Sequence, residues 1–185
     1  NDLEKQLAKE KYRKKELAKA SSSGGLEVRR RLLVATQWLP YQIELKPDGT
    51  FDVGAPSDYL DAYDALRRLD VTWVGLCGNF IVPPAARGDL RERLSRLNCV
   101  PVFLEAEQLV HAEAIASEVL WPLFHYIPLS MLDADIDMIH ERWEGYRELN
   151  KAFASEIVRT VTSNDLVWAH DYYLMLLPQM LREAQ

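Results

Sequence analysis

Four short apolar runs recur along the chain, at residues 31–36, 71–75, 100–104 and 166–169. Each lacks the apolar–polar alternation of a half-solvated strand, so each predicts a β-strand covered on both faces. Residues 41–45 and 50–53 flank Lys46-Pro47-Asp48-Gly49, which is turn chemistry for a β-hairpin. Between the runs, apolar positions return at helical spacing. A helix capped by Ser57 or Asp58 is expected to run to about residue 68, and others to span 89–97 and 172–182. The longest is expected over 135–161. There Ile139, Trp143, Tyr146, Asn150, Phe153 and Ile157 step by three and four, with Asn150 the one polar exception. Strands alternating with helices imply an α/β fold, an open and mostly parallel sheet with helices on both faces. Ligands of such sheets bind beyond the strands' carboxyl ends, which directs attention to 36–40, 54–59, 75–80, 104–113 and 169–173.

Composition refines this picture at the amino terminus. Residues 1–20 are rich in Lys, Glu, Ala and Leu with no Gly or Pro, so they read as helix. Leu3, Leu7 and Leu17 make no continuous stripe, so a solvated helix is the plainer reading and a docking arm for an acidic partner the sharper one. Ser21-Ser22-Ser23-Gly24-Gly25 reads as a linker. Its Gly-Gly pair precedes the first strand, whereas a phosphate cradle lies between a strand end and a helix start. The chain therefore divides into a charged extension with its linker, 1–25, and one α/β domain, 26–185.

Charge and reactive residues mostly exclude. A net charge of −6 argues against nucleic acid as a partner. The histidines at 111, 125, 140 and 170 and the two cysteines have no zinc-ligand spacing, so neither a metal nor a cofactor is expected. Cys77 and Cys99 read as buried free thiols of a reducing compartment. No apolar stretch reaches transmembrane length and the start is too polar for a secretory signal, so a soluble, cytoplasmic protein without membrane insertion is expected.

Two segments carry more specific chemistry. In Leu120-Trp121-Pro122-Leu123-Phe124-His125-Tyr126 the aromatic rings can form a packed cluster bent by Pro122, or Trp121 can present a wall to a sugar. In the second, 167–178, a buried strand ends in His170-Asp171 and passes into an apolar helix. The Asp171 carboxylate can accept hydrogen bonds from sugar hydroxyls, or cap that helix.

Both segments resemble trehalose-6-phosphate synthases, retaining glycosyltransferases that join glucose from UDP-glucose to glucose 6-phosphate. The resemblance covers about residues 31–185 and includes Trp73-Val74-Gly75, Asn98-Cys99-Val100-Pro101-Val102-Phe103-Leu104, and the spacing of Trp143, Tyr146, Asn150, Phe153 and Ala154. It implies the N-terminal Rossmann-like domain of a GT-B fold, left incomplete at Gln185, before the family's next strand and second domain. It further implies an acceptor-sugar site that includes Trp121 and Asp171.

Other positions depart from the family pattern. Trp38 stands where the family's Asn-Arg-Leu-Pro places a phosphate-contacting arginine, and an indole carries no charge. Asp58 and Tyr59 fall on a Gly-Gly pair whose backbone approaches phosphates; side chains block that approach and a carboxylate repels. Ala112 replaces an acceptor-binding tyrosine, and Tyr173 a histidine. Each charge-assisted bond lost is worth about 1.5–3 kcal/mol. The expectation is a non-catalytic, synthase-like domain with a regulatory or structural role beside other protein subunits. A sugar or glucose phosphate remains a possible ligand where the site survives. The alternative is part of an active UDP-glucose:glucose-6-phosphate glucosyltransferase whose remaining domain is absent. A domain ending after the last helix would also leave a sheet edge in need of a cover.

Overall fold

The computed structural model describes residues 30–56, 69–128 and 136–184, with positions 12, 15, 66 and 131. Most of the expected extension, the linker, and the helix capped by Ser57 or Asp58 lie outside the described residues, as do Asp58 and Tyr59 themselves.

Four strands form one parallel sheet in the order β5-β4-β1-β6, with β1 at Leu32–Trp38, β4 at Val71–Leu76, β5 at Cys99–Val102 and β6 at Leu166–Ala169. Val34 pairs with Trp73 on one side and with Trp168 on the other, so β1 is interior. Its apolar run is buried on both faces as expected, with Leu33, Val34 and Ala35 all at 0% exposure. Strands β2 (Tyr41–Leu45) and β3 (Phe51–Pro56) form the predicted antiparallel hairpin. Gly49 closes its turn at φ 81°, a conformation side chains disfavour, and the Lys46 N–H donates to the Thr50 carbonyl at 2.8 Å.

Alternate residues of the strands feed two cores. On one face Leu33, Ala35, Val74 and Val102 pack under helices α2 (Ala106–Ala114), α4 (Ile136–Thr160) and α5 (Leu177–Glu183). On the other, Val34, Trp73 and Cys99 pack against α1 (Pro84–Ser95) and the hairpin. Within α4, Tyr146, Asn150, Phe153 and Ile157 are buried as the spacing predicts, and Leu149 joins them. The buried Asn150 amide donates to the carbonyls of Tyr146 at 2.9 Å and Tyr173 at 3.2 Å. Helices α2 and α4 meet at Gly145, where a Cβ would come within 2.4 Å of the His111 Cβ.

Three helical boundaries differ from expectation. Helix α1 starts at Pro84 instead of residue 89, because proline is pre-set for the first turn and has no N–H to leave orphaned there. Residues 106–124 are helical, which the sequence reading missed: α2 runs into a π-helical turn at Ile115–Leu120 and then into α3 (Trp121–Phe124). The expected helix 172–182 is divided into a 3-10 turn at Tyr172–Leu174 and α5, whose first turn holds Pro178. Proline in a helix interior would clash with the carbonyl four residues back, so the helix begins beside it.

Candidate functional site

The carboxyl ends of β1 and β6 lie side by side. The His170 N–H donates to the Ala35 carbonyl at 2.9 Å, which carries the parallel pairing one residue past β6. Helix α2 follows β5 and opens with a capping box between Glu105 and Gln108. Its last turn brings Glu113 to this rim. One Glu113 oxygen, Oε2, accepts from Gln37 Nε2 at 3.0 Å, and the other, Oε1, accepts from the Tyr173 hydroxyl at 2.9 Å. Three separate segments thus meet at one carboxylate. Burial, and then the bond to Glu113, push the Tyr173 hydroxyl far above the ordinary tyrosine range, so it stays a donor. Among the described residues no salt bridge involves Glu113.

An aromatic ledge adjoins this cluster. The π-helical turn sends the Trp121 N–H to the Ala116 carbonyl, five residues back, just ahead of Pro122. Widening the turn there lets the chain accept a proline without leaving the helix. Trp121 is 50% exposed, so it is not absorbed into a packed core cluster. His125 covers part of its ring at 3.8 Å between centroids, and His125 Nδ1 lies 2.7 Å from the Trp121 carbonyl. Tyr172 lies 5.8 Å from Trp121 and 4.8 Å from Tyr173, which makes the ledge continuous with the Glu113 cluster. From below, the buried Tyr146 hydroxyl donates to the Tyr172 carbonyl and accepts from the Met175 N–H, tying the 3-10 turn to α4.

Asp171 sits between strand and ledge at φ 70° and ψ 171°, a region otherwise used almost only by glycine. Holding an aspartate there costs about 1–3 kcal/mol. Its Oδ1 accepts from the Tyr172 N–H at 2.6 Å, so it caps the 3-10 turn while remaining exposed.

The other sequence-predicted residues are more scattered. The Trp38 side chain packs, partly buried, against the larger core cluster. Ala112 is 1% exposed within that same core, one residue before Glu113 but turned inward. Tyr173 is buried and committed to Glu113. Glu113, Gln37 and Tyr172 were not singled out from sequence, although each lies in a segment flagged by its place at a strand end. Among the described residues no His, Cys, Asp and Glu group is placed to hold a metal. Burial pushes the Cys77 thiol up to about 12, and Cys99 is 1% exposed, so both are inert packing residues.

The profile of glycosyltransferase family 20 matches residues 30–185. The chain is 40% identical over 167 residues to the alpha,alpha-trehalose-phosphate synthase [UDP-forming] of Schizosaccharomyces pombe, covering 88% of this chain and 31% of that protein. It is 35% identical over 167 residues to the Saccharomyces cerevisiae protein named as the 56 kDa subunit of that synthase, covering 88% and 32%. The solved N-terminal domain of Candida albicans trehalose-6-phosphate phosphatase superposes with a TM-score of 0.59 at 27% identity, covering 83% of this chain and 32% of that one. A Burkholderia multivorans trehalose 6-phosphate synthase shares the fold with a TM-score of 0.58 at 24% identity, covering 84% and 31%. The chain spans about a third of the length of the curated relatives it matches. Among the described residues no helix is long and apolar enough to cross a membrane.

Proposed function

Because the chain belongs to glycosyltransferase family 20 and is trehalose-phosphate synthase-like, we propose that it has lost glucosyl transfer and serves as a regulatory or structural part of a larger assembly. The observation that carries this reading is the Glu113 carboxylate at the rim, held by the neutral donors Gln37 and Tyr173. Glucose 6-phosphate and a departing nucleoside diphosphate are both anions, and transfer between them depends on cationic or N–H stabilisation of developing charge. Positions 37–38, 113, 121–126 and 170–173 include no Lys or Arg. Trp38, at the position of the family's phosphate-contacting arginine, packs against the core instead.

Two relatives lend support to the assembly role. One protein of this fold is the N-terminal domain of a protein named as a phosphatase, and another relative is named as a subunit.

The second reading has its own support in the 40% identity to a named synthase. On it, the chain would be the acceptor-sugar part of an active UDP-glucose:glucose-6-phosphate glucosyltransferase. UDP release from UDP-glucose and glucose 6-phosphate by the intact protein separates the two. The non-catalytic reading expects no release above the enzyme-free rate. Sustained release, lost on Trp121→Ala, would overturn it.

A further inference from the structure

We propose that the outer face of α4 is a self-association surface, on which two copies of this chain pair their α4 helices antiparallel about a two-fold axis. The helix runs 25 residues, a span of about 37 Å. Its core side carries Tyr146, Leu149, Asn150, Phe153 and Ile157. The opposite side carries Asp137, Glu141, Glu144, Glu148, Lys151 and Arg159, a run stepping by three and four once the exposed Ser155 is included. Charge along this side is ordered, with acids in the first half and cations in the second. The helix dipole favours that order in the terminal turns only, whereas Glu144, Glu148 and Lys151 lie in the middle ones. An antiparallel copy lays its acidic half over the basic half of the first. Centred near residue 150, the pair brings Glu141 level with Arg159 of the other copy, and Glu148 level with its Lys151. The two-fold axis makes each contact twice.

The charges are available for such contacts. Arg91 grips Glu156 with two bonds, at 2.8 and 3.0 Å, and Arg159 adds a third at 3.0 Å. One carboxylate thus faces two guanidiniums, which leaves a positive charge in surplus beside Arg159, whose side chain is 68% exposed. Glu141 is exposed and enters no salt bridge among the described residues. The pairs Arg147–Glu144 and Lys151–Glu148 join neighbouring turns at the surface, and pairs of that kind are weak enough to exchange partners.

Apolar surface lies between the charges. Helices α4 and α5 leave a groove of about 490 Å³ lined by Ala154, Val158, Met180 and Ala184, and also by Lys151 and Arg159. Val158 is 45% exposed there, and the alanines let a second helix approach closely. The groove therefore suits a helix that is acidic with an apolar residue among its carboxylates. The first half of α4 has that composition, with Met138 at 43% exposure among Asp137, Glu141 and Glu144. This goes beyond the assembly role above by naming a second copy as the partner, and it does not depend on whether glucosyl transfer is lost.

Sedimentation velocity of the intact protein across a concentration series tests this without substrate. A reversible dimer is expected, and it should weaken between ~50 and ~300 mM salt. Glu141→Arg and Arg159→Glu each set like charges together twice, so each alone should raise the dissociation constant at least ~10-fold. The double variant reverses the charge order and should return to within about 3-fold of the parent. Val158→Glu, which leaves every ion pair in place, should weaken the dimer as well. Unchanged thermal unfolding of each single variant at monomeric concentration separates lost association from lost folding. A monomer up to ~100 μM, a dimer indifferent to both single reversals, or a double variant no better than the singles would each overturn the proposal. Association only with a different acidic chain would overturn it too.

Discussion

The two ends of strand β1 use a carboxylate in opposite ways. At the amino end Arg31 Nη2 meets Asp165 Oδ2 at 2.6 Å and the Thr160 carbonyl at 2.7 Å, and Asp165 Oδ2 also accepts from the Thr162 N–H. The acid there has a cation, its side chain is 5% exposed, and the group closes the loop between α4 and β6. At the carboxyl end Glu113 has, among the described residues, only neutral donors and remains partly exposed beside an open aromatic ledge. Acid with cation completes a structure. Acid without one, preorganised at a strand end, is chemistry still available to a ligand.

The strongest challenge to this contrast is at the amino end. Asp165→Ala should lower the unfolding free energy by about 2 kcal/mol in denaturant titration, because it strands the guanidinium and the Thr162 N–H together. A loss no larger than that of an exposed substitution would remove the distinction between the two ends. Acidification probes the same pair. The Arg31 hydrogen bond, outweighing burial, holds the Asp165 carboxyl below its ordinary value of 3.8. The unfolded chain therefore takes up the proton first, so this stabilisation is present above pH 3.8 and fades as pH falls through the lowered folded value. The stability gap between the protein and Asp165→Asn should narrow over that acid range.

A smaller effect is expected at Asp171. Its φ of 70° strains any side chain, while Asp171→Gly and Asp171→Ala lose the same cap. The glycine variant should be the more stable of the two by about 1 kcal/mol, after its greater unfolded-state entropy is counted. Thermal unfolding of both variants reads this, and equal stability would mean the strain is relieved elsewhere. The smallest effect belongs to Glu113→Gln, in which one of the two acceptor oxygens becomes an NH2 and only one of the bonds from Gln37 and Tyr173 is kept unchanged, so stability should fall by about 0.5–1 kcal/mol. A large loss there would make Glu113 a structural acid like Asp165.

Strands β1, β4 and β5 were legible in the sequence because burial on both faces leaves unbroken apolar runs such as Leu33, Val34 and Ala35; the run 166–169 gives the expected strand β6 but not the expected burial, since it is outermost in the sheet and Leu166 and Trp168 are exposed. The long helix was legible for the same kind of reason, and its one polar exception, Asn150, proves to bridge α4 to the Tyr173 carbonyl. The helical run 106–124 was hidden because a π-helical turn breaks the 3.6-residue period and Pro122 reads as a stop. Glu113 was hidden by distance: its partners lie 76 and 60 residues away, and periodicity carries no information about such meetings. The exposure of Trp121 was equally unreadable, since an aromatic residue looks alike in a core and on a ledge. Position at a strand end singled out the segments that carry Gln37, Glu113 and Tyr173, but not those residues themselves.

Calorimetric titration of the intact protein with glucose 6-phosphate measures whether the rim at Glu113 accepts a phosphate ester. The carboxylate at the rim and the absence of Lys and Arg from the adjoining positions predict no saturable binding at micromolar concentrations. Saturable micromolar binding of glucose 6-phosphate, weakened by Trp121→Ala, would contradict it.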